Sequence, residues 1–302
     1  MLTADIERYI SLRQSLGFGL HDASRRLRAF AHFATGRADT HVRSSTAIDW
    51  ATAAPSPNAR RVHLEDVIRL ARFLHSEDPA HEIPPERFFH NPRVRPLPYI
   101  YVPEQIAQIV KAAHRLTESY PLRGQTYATL FGLIAATGLR ISEALDLRLS
   151  DILPEDALRV RKTKFGKTRL VPLHPTVVKA LNEYLVARCR LSAVDDHVFL
   201  SAEGRRIHHS IVHKTFRRIL QLTDISLDNR HLRIHDLRHT FATRALEQCK
   251  TQQKLVSRHF VALATYMGHA DVRHTYWYLE ATPELMVGIA TTTEALAAGE
   301  GT

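Results

Sequence analysis

Helical periodicity dominates the first quarter of the chain. Ile6, Ile10, Leu12 and Leu16 recur near helical spacing, and Leu27, Phe30 and Phe33 continue the pattern after the Gly17-Phe18-Gly19 break, so residues 3–35 read as interrupted helix. A short helix is predicted over 47–54, ending before Pro55-Ser56-Pro57. A longer one is predicted over 58–75, with Val62, Val67, Leu70, Phe73 and Leu74 inward. Its polar side carries Arg60, Arg61, Arg69 and Arg72, which is either a solvated face or a set of phosphate contacts. Pro84, Pro85, Pro92, Pro96, Pro98 and Pro103 then crowd together. Proline cannot continue a helix and stiffens an extended segment. The pattern therefore divides the chain into a helical unit over 1–85, a linker over 86–103 that also carries Arg87, Arg93 and Arg95, and a larger unit over 104–302.

The larger unit opens with predicted helices over 104–118 and 124–137, the second with Tyr127, Leu130, Phe131 and Ile134 inward. Gly138 is placed to end it in the left-handed conformation. Arg140 then falls in a tight turn, with Ser142 expected to cap the next short helix. Over 157–173 the period changes to two. Leu158 and Val160 alternate with Arg159 and Arg161, and Leu170-Val171-Pro172-Leu173 follows, which predicts a β-hairpin whose basic tip turns near Phe165-Gly166. A helix over 175–190, a short strand at 197–200, helices over 208–222 and 235–249, two short helices around Gly268 and a last helix over 283–297 complete the reading. The predicted class is mainly α with a small β-hairpin or sheet.

Composition sharpens this picture. At 44% hydrophobic and 24% charged residues the chain reads as a soluble globular protein, and 41 Lys and Arg against 31 Asp and Glu give a net charge of +10. Such an excess favours a polyanionic partner. Cys189 and Cys249 make neither a disulfide framework nor a thiolate metal cluster. The first residues lack a signal-peptide core, and no uncharged apolar run is long enough to span a bilayer. A cytoplasmic protein without membrane contact is expected.

Six residues have the chemistry for phosphoryl transfer: Arg140, Lys164, His235, Arg238, His269 and Tyr278. Guanidinium groups bind phosphate oxygens bidentately and keep their charge. A lysine or histidine can pass a proton to a leaving oxygen, and a tyrosine hydroxyl can attack phosphorus. His235 and Arg238 are three residues apart, on one face of a helical turn.

The order of these residues carries a resemblance. Ala136-Thr137-Gly138-Leu139-Arg140-Ile141-Ser142-Glu143-Ala144-Leu145 resembles the first-arginine box of the tyrosine recombinase (phage integrase) family, and His235-Asp236-Leu237-Arg238 resembles its H-x-x-R box. Gly268-His269, with Tyr278 nine residues on, is similar to its closing box, and Lys164 through Leu173 to its lysine hairpin. The resemblance covers roughly residues 104–290. It implies a two-domain DNA clamp, with a core-binding domain at 1–85 and an α/β catalytic domain. It further implies that Tyr278 attacks the scissile phosphate to give a 3′-phosphotyrosyl bond. Arg140 and Arg238 would hold the non-bridging oxygens with help from His269, Lys164 would protonate the leaving 5′-oxygen, His235 would act as acid or base, and Glu143 would brace the site. No ATP, metal or other cofactor is expected. The implied partners are double-stranded recombination sites and further copies of the chain, as a dimer or tetramer to which the 283–297 helix could contribute. Service to a mobile element is expected, with the protein on the nucleoid when it is bound to DNA. Further DNA contacts are expected from Arg60, Arg61, Arg69, Arg72, Arg93, Arg95, Lys162, Lys167 and Arg169.

The chain departs from the pattern between Arg238 and His269, which are farther apart than in shorter bacterial members. The extra material lies near 250–259, is polar and basic, and reads as an added loop in which His259 competes with His269. Tyr276 is a rival nucleophile and Lys167 a rival lysine. Outside this chemistry, His209/His213 and His235/His239 have the i,i+4 spacing of zinc ligands, but Asp236 stands where a zincin-like base needs glutamate and no third ligand is near. A non-enzymatic helix-turn-helix regulator would leave the ordered set unexplained. A cleavage-poor accessory homologue and a type IB topoisomerase-like relaxer remain alternatives.

Overall fold

The computed structural model describes residues 2–89, 97–116, 120, 122–161, 168–190, 195–225, 232–247 and 253–268. The chain divides into two compact units, Met1–Arg95 and Pro96–Thr302.

The first unit is built from four helices: α1 Leu2–Ser15, α2 His21–Thr35, α3 Ser44–Thr52 and α4 Pro57–His75. Gly17 at φ +84° and Leu20 at φ +34° make the reversal between α1 and α2. Ile6 and Ile10 are buried, but Leu12 and Leu16 are exposed. Leu12 lies two residues beyond Ile10, about 200° around the helix, and so on the far side. In α4, Ser56 caps the N-terminus by accepting from the Ala59 N–H at 3.2 Å, with Pro57 in the first turn, where its missing N–H costs nothing. Val67, Leu70 and Leu74 of α4 are buried with Ile6, Ile10, Leu27, Phe30 and Trp50, whereas Phe73 flanks this core and Val62 is only half-buried. Asp66 is buried at 4% exposure and accepts from Arg26 Nε and Arg69 Nη1, both at 2.7 Å.

The second unit begins earlier than the linker reading ends. Tyr101 is fully buried in its core, and the Tyr101 N–H donates to Thr240 Oγ1 at 2.9 Å. Next come α5 Pro103–His114, α6 Arg123–Thr137 and α7 Ile141–Leu145. Strands β1 Ile152–Leu153, β2 Ala157–Val160 and β3 Arg169–Pro172 follow, and then α8 Pro175–Arg188, α9 His209–Leu220, α10 Ile234–Glu247 and α11 Gln253–Tyr266. Helix α6 is the hub, packed by α5, α8 and α10. Tyr127, Leu130, Phe131 and Ile134 are buried, as their spacing predicts.

The sheet is antiparallel in the order β1-β2-β3, with Leu158 opposite Val171 and Val160 opposite Arg169. Strand β1 has two residues, too few to show an alternating pattern. The strand expected at 197–200 is reduced to single bridges, Arg148 to His197 and Leu200 to Arg206. The 250–259 segment is not simply a loop, because from Gln253 onward it forms the opening turns of α11. Phe260, Leu263 and Ala264, at i, i+3 and i+4, are the face α11 buries, and Met267 just past its end is buried with them. The helix expected over 283–297 lies outside the described residues.

Candidate active site

The site grows from a capping device, an acid closing on an arginine N–H, that occurs three times among the described residues. In Arg140-Ile-Ser-Glu143, Arg148-Leu-Ser-Asp151 and Arg233-Ile-His-Asp236, the acid three residues on accepts the backbone N–H of the arginine, at 2.9, 3.1 and 2.9 Å. This satisfies one of the donors that a helix start leaves without an intrahelical partner. Arg140 is thus the N-cap of α7, with extended backbone, and Ser142 is not the cap. Its guanidinium turns back so that Nη1 donates to Glu143 Oε1 at 2.7 Å, while Nη2 donates to the Gly268 carbonyl at 3.1 Å.

Arg238 enters from α10. It is 1% exposed, with Nη1 donating to the Gly138 carbonyl at 2.5 Å and Nη2 to the Met267 carbonyl at 2.7 Å. Nη1 also lies 4.0 Å from Glu143 Oε2. Residues about a hundred positions apart therefore converge on two glycine turns, Gly138 at φ +62° and Gly268 at φ +65°. A Cβ at Gly138 would lie 2.5 Å from Phe241 Cδ1 and 3.1 Å from Met267 Sδ. One at Gly268 would lie 2.8 Å from Arg169 Nη1. Conformation and close approach both require glycine here.

Arg169, at the start of β3, points inward. Nη1 and Nη2 donate to Glu143 Oε1 and Oε2 at 3.0 and 2.8 Å, and the side chain is 12% exposed. Alternation carried the signal for this: Arg169 shares a strand face with buried Val171, while Leu170 is exposed. Glu143 is buried, which on its own would raise its pKa, but the bonds and charges of Arg169 and Arg140 outweigh this and hold it at about 2. It is a permanent anion serving several cationic donors.

His235 is exposed and stands edge-on to buried His239, ring centroids 4.4 Å apart. Desolvation around the ring, followed by Arg238, Arg233 and Arg140, lowers its pKa to about 4. At neutral pH it is an uncharged imidazole, able to accept a proton although a weaker base than an ordinary histidine. Tyr266, which the sequence reading passed over, stacks on Phe241 with centroids 5.5 Å apart. Burial raises its pKa to about 12 against the lowering effect of Arg169 and Arg238, so it stays protonated beside the arginines.

The remaining candidates separate clearly. Lys162, Lys164, Lys167, Arg93, Arg95, His269, Tyr276 and Tyr278 lie outside the described residues. His259 Nε2 sits 2.9 Å from the Ala245 carbonyl, on the flank of α10, and does not join Arg140 and Arg238. Asp236 accepts from Arg233 N and Nη2, both at 2.9 Å, and His235/His239 have no third metal ligand among the described residues. In the first unit Arg60 Nε donates to the Ala54 carbonyl, Arg61 pairs with Glu65, Arg69 with Asp66 and Glu65, and Arg72 with Glu86. Arg69 and Arg72 nonetheless keep 55% and 53% of their side chains exposed, against 17% for Arg61.

A family model, the phage integrase family, matches residues 101–284. The chain belongs to that family. It is 36% identical over 294 residues to a putative integrase/recombinase of Sinorhizobium fredii, covering 93% of each chain. It is 30% identical over 258 residues to a tyrosine recombinase XerD of Caulobacter vibrioides, covering 82% of this chain and 78% of that protein. Its fold is similar to the Tn1549 transposon integrase in complex with transposon right-end DNA, at TM-score 0.68 and 19% identity, covering 98% of this chain and 99% of that one. The chain is a tyrosine-type site-specific DNA recombinase. Among the described residues no helix is long and apolar enough to cross a membrane.

Proposed function

We propose that this recombinase cleaves and rejoins DNA with Arg140 and Arg238 on the non-bridging oxygens of the scissile phosphate. The observation that supports this reading is the convergence of both guanidiniums, from α7 and α10, on Glu143 and the two glycine turns. Their charge is fixed in place before any substrate arrives, which is what transition-state stabilisation of phosphoryl transfer requires. The Tyr278 hydroxyl oxygen attacks phosphorus, the P–O5′ bond breaks, and Lys164 supplies the proton to the departing 5′-oxygen. Neutral His235 takes up the tyrosine proton, and His269 assists the arginines. In the second step a 5′-hydroxyl attacks the phosphotyrosine and releases Tyr278. One phosphodiester is exchanged for another, so no external energy source enters.

Action in pairs on two DNA sites, as a dimer and then a tetramer, belongs to the same proposal, as does service to a mobile element. The relatives that support the mobile-element role are a TnP I resolvase of Bacillus thuringiensis, 30% identical over 181 residues, and the Tn1549 integrase. The exposed Arg69 and Arg72 are proposed as backbone contacts.

The test is covalent trapping on a nicked suicide substrate. Wild-type protein is expected to form a denaturant-resistant DNA adduct, and Tyr278→Phe to bind the same DNA but form none. An adduct with the variant would move the nucleophile to another residue, Tyr276 first.

A further inference from the structure

Arg169 is the first residue of β3, and its strand partner Val160 is the last residue of β2, so this pair ends the β2–β3 ladder. A basic residue here is expected to face solvent or a DNA backbone. Instead its guanidinium is inside the site, bonded through both terminal nitrogens to Glu143 and packed on Gly268. Its Nε is buried without a hydrogen-bond partner among the described residues. Glu143 meanwhile holds the Arg140 N–H and Nη1 and lies 4.0 Å from Arg238. Three guanidiniums thus share one carboxylate, leaving a net charge of two positives. Without Arg169 the carboxylate would be left to Arg140 and the more distant Arg238, and the site would lose half its excess charge.

We propose that Arg169 is a positioning residue for strand cleavage. It draws on Glu143 so that Arg140 is oriented without being neutralised, and it fastens the start of β3, five residues after Lys164 in the sequence, to the same carboxylate. It does not contact DNA itself. This rests on the recombinase reading above, and its test is built to fail separately from that reading.

The comparison uses full-length wild type, Arg169→Gln, Arg169→Lys and the double variant Arg169→Gln/Glu143→Gln, each checked for a folded melting transition. Two quantities are measured: adduct formation on the suicide substrate, and the salt dependence of DNA binding. Arg169→Gln is expected to slow adduct formation about a hundredfold, as misplacement of a reacting group does. Its salt slope should match wild type, because a lost phosphate contact would lower that slope by about 0.9. Arg169→Lys should also be slow, since a lysine cannot bridge both carboxylate oxygens. Removing Glu143 as well should recover at least part of the lost rate, because the uncompensated carboxylate is then gone. A shallower salt slope in Arg169→Gln would make Arg169 a DNA contact and overturn the proposal. So would a double variant no faster than the single one, or wild-type rates in Arg169→Lys. If wild type itself forms no adduct, the recombinase mechanism fails, whatever Arg169 does.

Discussion

At the scale of the residue, the site is held by backbone as much as by side chains. Both arginines donate to main-chain carbonyls of left-handed turns, so the shape of those turns decides where the cations sit. Gly138→Ala therefore bears on stability and chemistry together. A left-handed non-glycine residue costs about 1–2 kcal/mol, and the 2.5 Å approach to Phe241 adds an overpacking cost of roughly 1–3 kcal/mol. Urea unfolding should show the second unit losing about 2–5 kcal/mol on those grounds, and a loss under about 0.5 kcal/mol would mean the turn yields freely. Exposure ranks the arginines of α4 in the same way. Arg69→Ala and Arg72→Ala should each lower the salt slope of DNA binding by about one, and Arg61→Ala should leave it alone. Equal slopes for all three variants would remove this face from the DNA contacts.

At the scale of the element, the helices of the first unit are joined by a buried charge as well as by apolar packing. Asp66 of α4 holds Arg26 of α2 and Arg69 of its own helix at 4% exposure. Asp66→Ala leaves Arg26, itself only 22% exposed, without its carboxylate. Removing one partner of a buried pair costs about 3–5 kcal/mol, so the unfolding midpoint of this unit should fall well below wild type. An unchanged midpoint would show that the pair is neutral to stability. Helices with strong periodicity, and the turn at Gly138, were legible in the sequence because local rules determine them. The cap of α7 was misread because Ser142 is a better capping residue than Arg140 by type. What decides it is the acid at the third position, a signal that recurs at Asp151 and Asp236. The start of α11 was illegible because residues 250–259 are polar, whereas its buried face from Phe260 onward is periodic. The inward turn of Arg169 is present in the alternation with Val171, but the neighbouring lysines make the whole stretch read as one basic tip for DNA contacts.

At the scale of the whole molecule, the two units share one vulnerability, which is acid. His63 and His81 in the first unit and His213 and His235 in the second all have pKa values lowered chiefly by desolvation, His235 to about 4. Each therefore binds fewer protons folded than unfolded at pH values below the ordinary histidine value of about 6.5. Where the unfolded state binds more protons, stability rises with pH. These four histidines contribute fully above about pH 6.5 and lose their contribution as the pH falls below it, in the case of His235 down toward about 4. Glu143 and Asp195, both held at about 2, add a second loss that begins only near the ordinary carboxylate range, about pH 4, and runs down to pH 2. Acidification also charges the 19 histidines of a chain that already carries +10, and self-repulsion acts in the same direction. Urea midpoints at pH 7.5, 6.5, 5.5 and 4.5 test this, those values being chosen to bracket the histidine window of about 4 to 6.5. The expected curve is flat between the first two and falls steadily through the last two. His81→Gln, which has no proton to gain, should flatten part of the fall in the first unit and none of it in the second. A midpoint that stays constant to pH 4.5, or that rises on acidification, would show that these imidazoles do not control acid stability.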